Sequence, residues 1–287
     1  MPPQFPSIHD RISVARHRLR EAGLSSTESD LSARLLAQHA LGWTTERFLV
    51  DARGVEPDGF APRYDALIAR RVAREPLAYI VGVREFWGLS FEVTPAVLIP
   101  RAETELIVEA ALELIDPAQA AAVADVGTGS GCLAIAIASA RPHAIVLASD
   151  ISDSALAVAR RNAERHGVAD RIRFERADLL SGVDAQFDVI VANPPYVRER
   201  DVRGLQPEVK NEPAVALFSG PDGLDAVARL VGQAARHMKP GSHLIFEFGF
   251  GQDLEIERFV EGAPGLSLVE LRRDLQGIAR TAVVRRT

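Results

Sequence analysis

Ile8, Ile12, Ala15 and Leu19 recur at the spacing of one helix face, with Ser7 ahead of them as a cap and Gly23 behind them as a stop. A second helix is expected over residues 31–41, capped by Ser29 or Asp30 and stopped at Gly42. Thr44 or Thr45 opens a third, short one. Leu67, Ile68 and Val72 place a fourth over residues 61–74, with Arg70, Arg71 and Arg74 on its other, solvated faces. Trp43 reads as core. Short connections between amphipathic helices predict a small helical bundle over residues 1–81.

The period then changes. In residues 82–100 the apolar positions Phe86, Trp87, Phe91, Val93, Val97, Leu98 and Ile99 are broken by Gly88 and Pro95, which predicts a β-hairpin linking two domains. A helix starts at residues 101–105, with Glu103 and Glu105 in its first turn, where the helix dipole favours carboxylates. From residue 121 strand and helix alternate. Strands are expected at 121–126, 144–149, 171–176, 187–192, 242–248, 266–270 and 280–285, and helices at 131–140, 153–166, 222–238 and 252–261. Residues 101–287 therefore read as a doubly wound α/β domain on a seven-stranded sheet.

Composition narrows the classes. The 287 residues are 47% apolar, enough for a full core, yet no apolar run approaches the ~18 residues of a membrane span. Residues 1–30 are polar and mixed in charge, unlike a signal peptide, so a cytoplasmic protein with no membrane partner is expected. The single cysteine, Cys132, excludes an internal disulfide and any multi-cysteine zinc site, and its apolar surroundings suit a buried residue. The seven His lack ligand spacing, and no metal is expected. Residues 1–85 carry twelve Lys and Arg against eleven Asp and Glu, net +1, which leaves −7 for the rest of a chain whose total is −6. An acidic larger domain is unsuited to gripping nucleic acid, which requires many phosphates to be neutralised.

Residues 188–196, Asp-Val-Ile-Val-Ala-Asn-Pro-Pro-Tyr, carry the most chemistry. Their apolar centre reads as a buried strand, and Pro194 and Pro195 stop it and stiffen the loop beyond. In an open α/β sheet ligands lie beyond the carboxyl ends of the strands, which puts Asn193 at the crevice. Asn193 and the Pro194 carbonyl supply acceptors and Tyr196 a flat face, a set suited to a planar –NH2 group. Asn193, Pro194, Pro195 and Tyr196 are thus the candidate substrate residues, with Asn193, Pro194 and Tyr196 the candidate catalytic ones. An ordinary strand-ending turn accounts for any one of them alone.

A second signature comes after the first strand of the α/β domain: Asp125, then Gly127, Thr128, Gly129, Ser130 and Gly131 ahead of a helix. Glycines allow a sharp turn and close approach to a ligand. The dinucleotide pattern would need glycine where Cys132 stands, and the P-loop lysine is absent. With acidic Asp125 before it, the spacing suits S-adenosylmethionine, whose methionyl end is cationic. Asp150, at the end of the second strand, is placed for the ribose hydroxyls, and Asp178, after the third, for the adenine amino group with Leu179 beside the ring. Asn193 completes the expected cofactor set.

Along nearly its whole length the chain resembles the peptide chain release factor glutamine N5-methyltransferases. The resemblance rests on residues 74–82 (REPLAYIVG), 84–88 (REFWG), 98–101 (LIPR) leading to Thr104-Glu105, the Gly loop, Asn193 to Tyr196, Glu212-Pro213 and residues 273–275 (RDL). The tetrapeptide at Asn193 is shared with DNA amino-methyltransferases; the helical domain and linker motifs are more specific. The family usually has proline after the linker arginine, where this chain has Ala102. The resemblance implies a Rossmann-like methyltransferase domain, S-adenosylmethionine as cofactor, and class 1 release factors as protein substrates, whose Gly-Gly-Gln glutamine enters the pocket. A ribosomal-protein glutamine methyltransferase, a DNA amino-methyltransferase and a non-catalytic module on the same fold are the competing readings. Under the release factor reading, Asn193 and Pro194 orient the substrate amide for in-line attack, and positioning lowers the barrier without a strong base.

Overall fold

Ser7 caps the first helix, α1 (Ile8–Glu21), through a reciprocal capping box with Asp10. The computed structural model describes residues 7–287, which fall into two compact units. The first runs to Gly82 and takes in Gln206–Asn211. It holds α1, α2 (Ser26–Leu41), α3 (Thr45–Asp51), α4 (Phe60–Val72) and α5 (Leu77–Val81). Ile8, Leu19, Leu36, Phe60, Tyr64 and Ile68 form its core, with the Phe60 and Tyr64 rings stacked at 5.1 Å.

Two expectations are corrected here. The cap of α2 is Ser25, because its box with Glu28 satisfies two free N–H groups at once; Ser29 is instead buried within the helix, and Asp30 pairs with Arg16 and Arg20. Arg71 is also not on a solvated face. It is 4% exposed, with Nη1 donating to Glu208 Oε1 at 2.7 Å and Nε to Ser32 Oγ. Glu208 Oε2 takes Arg74 Nη2 at 2.8 Å. That carboxylate arrives from a segment more than 130 residues further along the chain, which periodicity within α4 cannot register.

The second unit comprises Val83–Leu205 and Glu212–Thr287. It opens with the hairpin β1 (Val83–Phe86) and β2 (Leu89–Glu92), turned at Trp87 and Gly88, both at positive φ. Residues 93–100 are loop rather than a continuation of the hairpin, since Pro95 and Pro100 cannot donate to a ladder. The Glu105 carboxylate takes the Trp87 N–H at 2.8 Å, a role beyond the dipole. A 3-10 turn, Ala102–Thr104, leads into α6 (Glu105–Leu114), so the helix forms with Ala102 in the proline's usual place.

The large sheet contains β3 (Ala121–Val126), β4 (Ala144–Asp150), β5 (Ile172–Arg176), β6 (Phe187–Ala192), β7 (Met238–Glu247), β8 (Leu266–Arg273) and β9 (Ala279–Arg286), in the order β5-β4-β3-β6-β7-β9-β8. The first five are parallel, and β9 lies antiparallel between β7 and β8. Both faces are covered. Val123, Val189, Val191 and Ile245 pack with α6 and α7 (Cys132–Ala140), while Ala124, Val126, Ile190 and Phe246 pack with α9 (Asp225–His237) and α10 (Asp253–Glu261). Alternate residues of one strand thus serve opposite cores. α8 (Asp153–Arg165) lies between β4 and β5 in the chain. The strand order turns back at β3, between β4 and β6, where a crevice is expected at the carboxyl ends.

Candidate active site

A cavity of about 380 Å³ lies at that point, within the second unit. The loop after β3 forms one wall. Gly127, Gly129 and Gly131 all have positive φ, at 75°, 55° and 84°. A side chain at Gly127 would meet only open space, whereas a Cβ at Gly131 would come 3.2 Å from the Ala159 Cβ of α8. Gly127 and Gly129 therefore shape the wall, and Gly131 lets the loop pack on a helix.

Four of the loop's N–H groups are already engaged. Gly127 and Thr128 donate to the Ser149 carbonyl at 2.9 and 2.8 Å, Gly131 donates to Thr128, and Gly129 donates to Asp150 Oδ2 at 2.9 Å. A phosphate-binding loop would keep such donors free for the anion. This one presents a carboxylate at its rim, which fits a nucleoside bearing a cationic amino-acid end and not a diphosphate.

Asp125 is wholly buried and does not line the cavity. Its Oδ2 accepts from Thr128 Oγ1 at 2.6 Å and from the Ala134 N–H at 3.0 Å, so it ties the loop to the first turn of α7. Its Oδ1 has no partner among the described residues, and burial pushes its pKa up to about 7. Asp150 does line the cavity. Its oxygens accept from Gly129 N and Ser152 N, each at 2.9 Å, which leaves further lone pairs for a ligand, and burial raises its pKa. Asp178 and Leu179 line the cavity beyond β5; Asp178 pairs with Arg229 at 2.6 Å, and Leu179 holds a left-handed φ of 55°. Thr128 and Ser130 line it as well. Burial pushes the Cys132 thiol up to about 12, so no thiolate nucleophile is available.

The end of β6 forms the opposite wall, where Asn193, Pro194 and Pro195 line the cavity. Asn193 Nδ2 donates to Thr104 Oγ1 at 2.9 Å, and Thr104 Oγ1 donates to Glu247 Oε2 at 2.7 Å. Tyr196 is not on the wall. Its hydroxyl donates to Glu247 Oε1 at 2.8 Å, behind the cavity, and its carbonyl accepts from Gln252 Nε2. A Cβ on Gly223 would come 2.2 Å from that carbonyl, so only glycine fits against this turn. Burial raises the pKa of both Tyr196 and Glu247.

Periodicity and spacing do not connect Thr104 and Glu247 with Asn193. The one local signal is a glutamate closing the apolar run Leu244–Phe246, in a strand buried on both faces. Glu212, 5% exposed, is a further such residue: its carboxylate takes the Ile99 N–H at 3.0 Å and pairs with Arg101, which holds the loop bearing Val97 and Pro100 against the cavity.

Residues 12–82 match a family model described as the PrmC N-terminal domain, and residues 104–211 one described as the methyltransferase small domain. A release factor glutamine methyltransferase of Cereibacter sphaeroides is 40% identical over 96% of this chain and 97% of its own. One from Bordetella pertussis is 44% identical over 94% of this chain and 98% of its own. A crystal structure of a methyltransferase from Pyrococcus furiosus, 19% identical, shares the fold with a TM-score of 0.52 over 77% of this chain and 96% of that one.

Proposed function

The chain belongs to the release factor glutamine methyltransferases, and from that premise we propose that it methylates the side-chain amide nitrogen of the glutamine in the Gly-Gly-Gln motif of class 1 release factors, using S-adenosylmethionine. The observation that carries the reading is the Asn193 amide. Its nitrogen is engaged by Thr104, so its oxygen is the group left to accept from a ligand in the cavity.

The wall of Gly127 to Ser130, with Asp150, Asp178 and Leu179, holds the cofactor, and Asp125 supports that wall from behind. S-adenosylmethionine supplies an electrophilic methyl carbon on a sulfonium sulfur. Asn193 Oδ1 and the Pro194 carbonyl each accept one N–H of the substrate amide. Its lone pair, otherwise delocalised into the carbonyl, is thereby oriented and gains electron density. Pro194 and Pro195 keep these acceptors rigid, so little reorganisation is needed at reaction. Orientation of this kind lowers a barrier by several kcal/mol, up to about 7–11 in favourable intramolecular cases. The amide proton leaves to solvent after transfer. Glu247 is buried and does not line the cavity, so it is not the base. An acceptor used in translation implies a cytoplasmic enzyme, and no helix among the described residues is long and apolar enough to cross a membrane.

The test is transfer of labelled methyl from S-adenosylmethionine to a purified class 1 release factor, alongside its Gly-Gly-Ala variant and a DNA duplex. Label on the wild-type factor alone is expected. Label on DNA, or equal label on the Gly-Gly-Ala variant, would overturn the reading.

A further inference from the structure

An asparagine amide is nearly symmetric in shape, and only its hydrogen bonds decide which end faces a ligand. With Oδ1 toward the cavity, Asn193 accepts from a substrate –NH2; turned over, it would set one –NH2 against another. Thr104, its immediate partner, cannot make this choice, because a hydroxyl both donates and accepts.

We infer that Glu247 is a positioning residue that acts through the Thr104 hydroxyl to hold Asn193 in its acceptor orientation. Both hydroxyls donate to Glu247, which favours its ionised form against the burial, and a carboxylate has no proton to offer, so the single hydroxyl proton of Thr104 goes to Glu247 Oε2, at 2.7 Å. Thr104 is then left only lone pairs for Asn193, and Nδ2 must turn toward it, as observed at 2.9 Å. Tyr196 completes the arrangement: its hydroxyl donates to Glu247 Oε1 at 2.8 Å, so the charge is held by two O–H donors in a site where both Thr104 and Glu247 are 2% exposed or less. The three contributors come from the start of α6, the end of β7 and the turn after β6, all in the second unit. Tyr196, which does not line the cavity, thus affects the reaction through the same carboxylate.

This inference rests on Asn193 as the substrate acceptor, and the test separates the two. Single-turnover transfer to a class 1 release factor and calorimetric binding of S-adenosylhomocysteine are measured for Thr104→Val, Thr104→Ser, Glu247→Gln, the Thr104→Val/Glu247→Gln double variant and Asn193→Ala. Glutamine at 247 can donate as well as accept, so it frees the Thr104 proton and releases the constraint. Thr104→Val and Glu247→Gln are each expected to slow transfer about 10- to 100-fold, with S-adenosylhomocysteine binding unchanged and Thr104→Ser close to wild type. The double variant is expected to be no slower than the slower single one, since the carboxylate acts through the hydroxyl. Wild-type rates in Thr104→Val, or additive losses in the double variant, would overturn the relay. Should Glu247→Gln fail to fold, Glu247→Leu, which removes the acceptor of the Thr104 proton, takes its place in the same comparison. Full activity in Asn193→Ala would instead remove the acceptor reading on which the relay depends.

Discussion

The Asn193 side chain and the Thr104 hydroxyl lie 2.9 Å apart although 89 positions separate them in the chain. The contact joins the end of β6 to the turn that starts α6, and it engages one end of the amide while leaving the other to the cavity. Replacing Asn193 with alanine is therefore expected to lower single-turnover methyl transfer about 100-fold or more, by analogy with loss of one preorganised polar group at a reacting centre. S-adenosylhomocysteine affinity, read by calorimetry, should change little. A variant that turned over like the wild type would contradict the scheme.

Asp150 has the opposite signature. Its carboxylate faces the cavity and also secures the Gly129 N–H. Asp150→Ala is expected to weaken S-adenosylhomocysteine about 10- to 100-fold, the loss that one or two charge-assisted hydrogen bonds produce. Saturating cofactor should restore much of the transfer rate. If affinity stays at the wild-type value, Asp150 serves only the loop.

Asp125 links pH to stability. Its pKa of about 7 lies above the ordinary value of 3.8, with burial as the main cause. The folded state therefore binds the proton more tightly than the unfolded one. The resulting stabilisation is full below pH ~4 and is lost as the pH rises through ~7, amounting to a few kcal/mol, about 1.4 per pKa unit. Thermal unfolding of Asp125→Asn across this window should show a flatter pH dependence than the wild type. Parallel curves would mean that Asp125 stays ionised in the fold.

Glu208 sets the charge balance of the first unit's interior, since it pairs with both Arg71 and Arg74. Glu208→Ala leaves the Arg71 guanidinium, 4% exposed, without its carboxylate. Breaking one side of such a buried pair typically costs about 3–5 kcal/mol. A lower unfolding midpoint is expected, read by calorimetry on the full chain. An unchanged midpoint would show that water reaches the site and screens it.

Local pattern determined a great deal. The helical spacing of Ile8 to Leu19, the apolar run Val189 to Ala192, and the stop at Pro194 each act within a few residues, so α1, β6 and the loop after it were legible in the chain. The glycine loop was legible for the same reason: positive φ at Gly127 and Gly129 is a property of the residue type. Even the cap of α2, assigned to Ser29 or Asp30 by pattern and found at Ser25, is a local choice between nearby polar residues.

Tertiary structure decided what depends on pairing across the chain. Whether Arg71 meets water or Glu208, whether Asp125 meets a ligand or the start of α7, and whether Tyr196 faces the cavity or Glu247 are settled by which distant segments meet. A polar side chain announces that it needs a partner but not which one, because hydrogen bonding is short-ranged while the partner can lie anywhere along the chain. The residue types for the chemistry were therefore visible in one short stretch, and the orientation of Asn193 was not, since Thr104 and Glu247 reach it only when β6, β7 and α6 have packed.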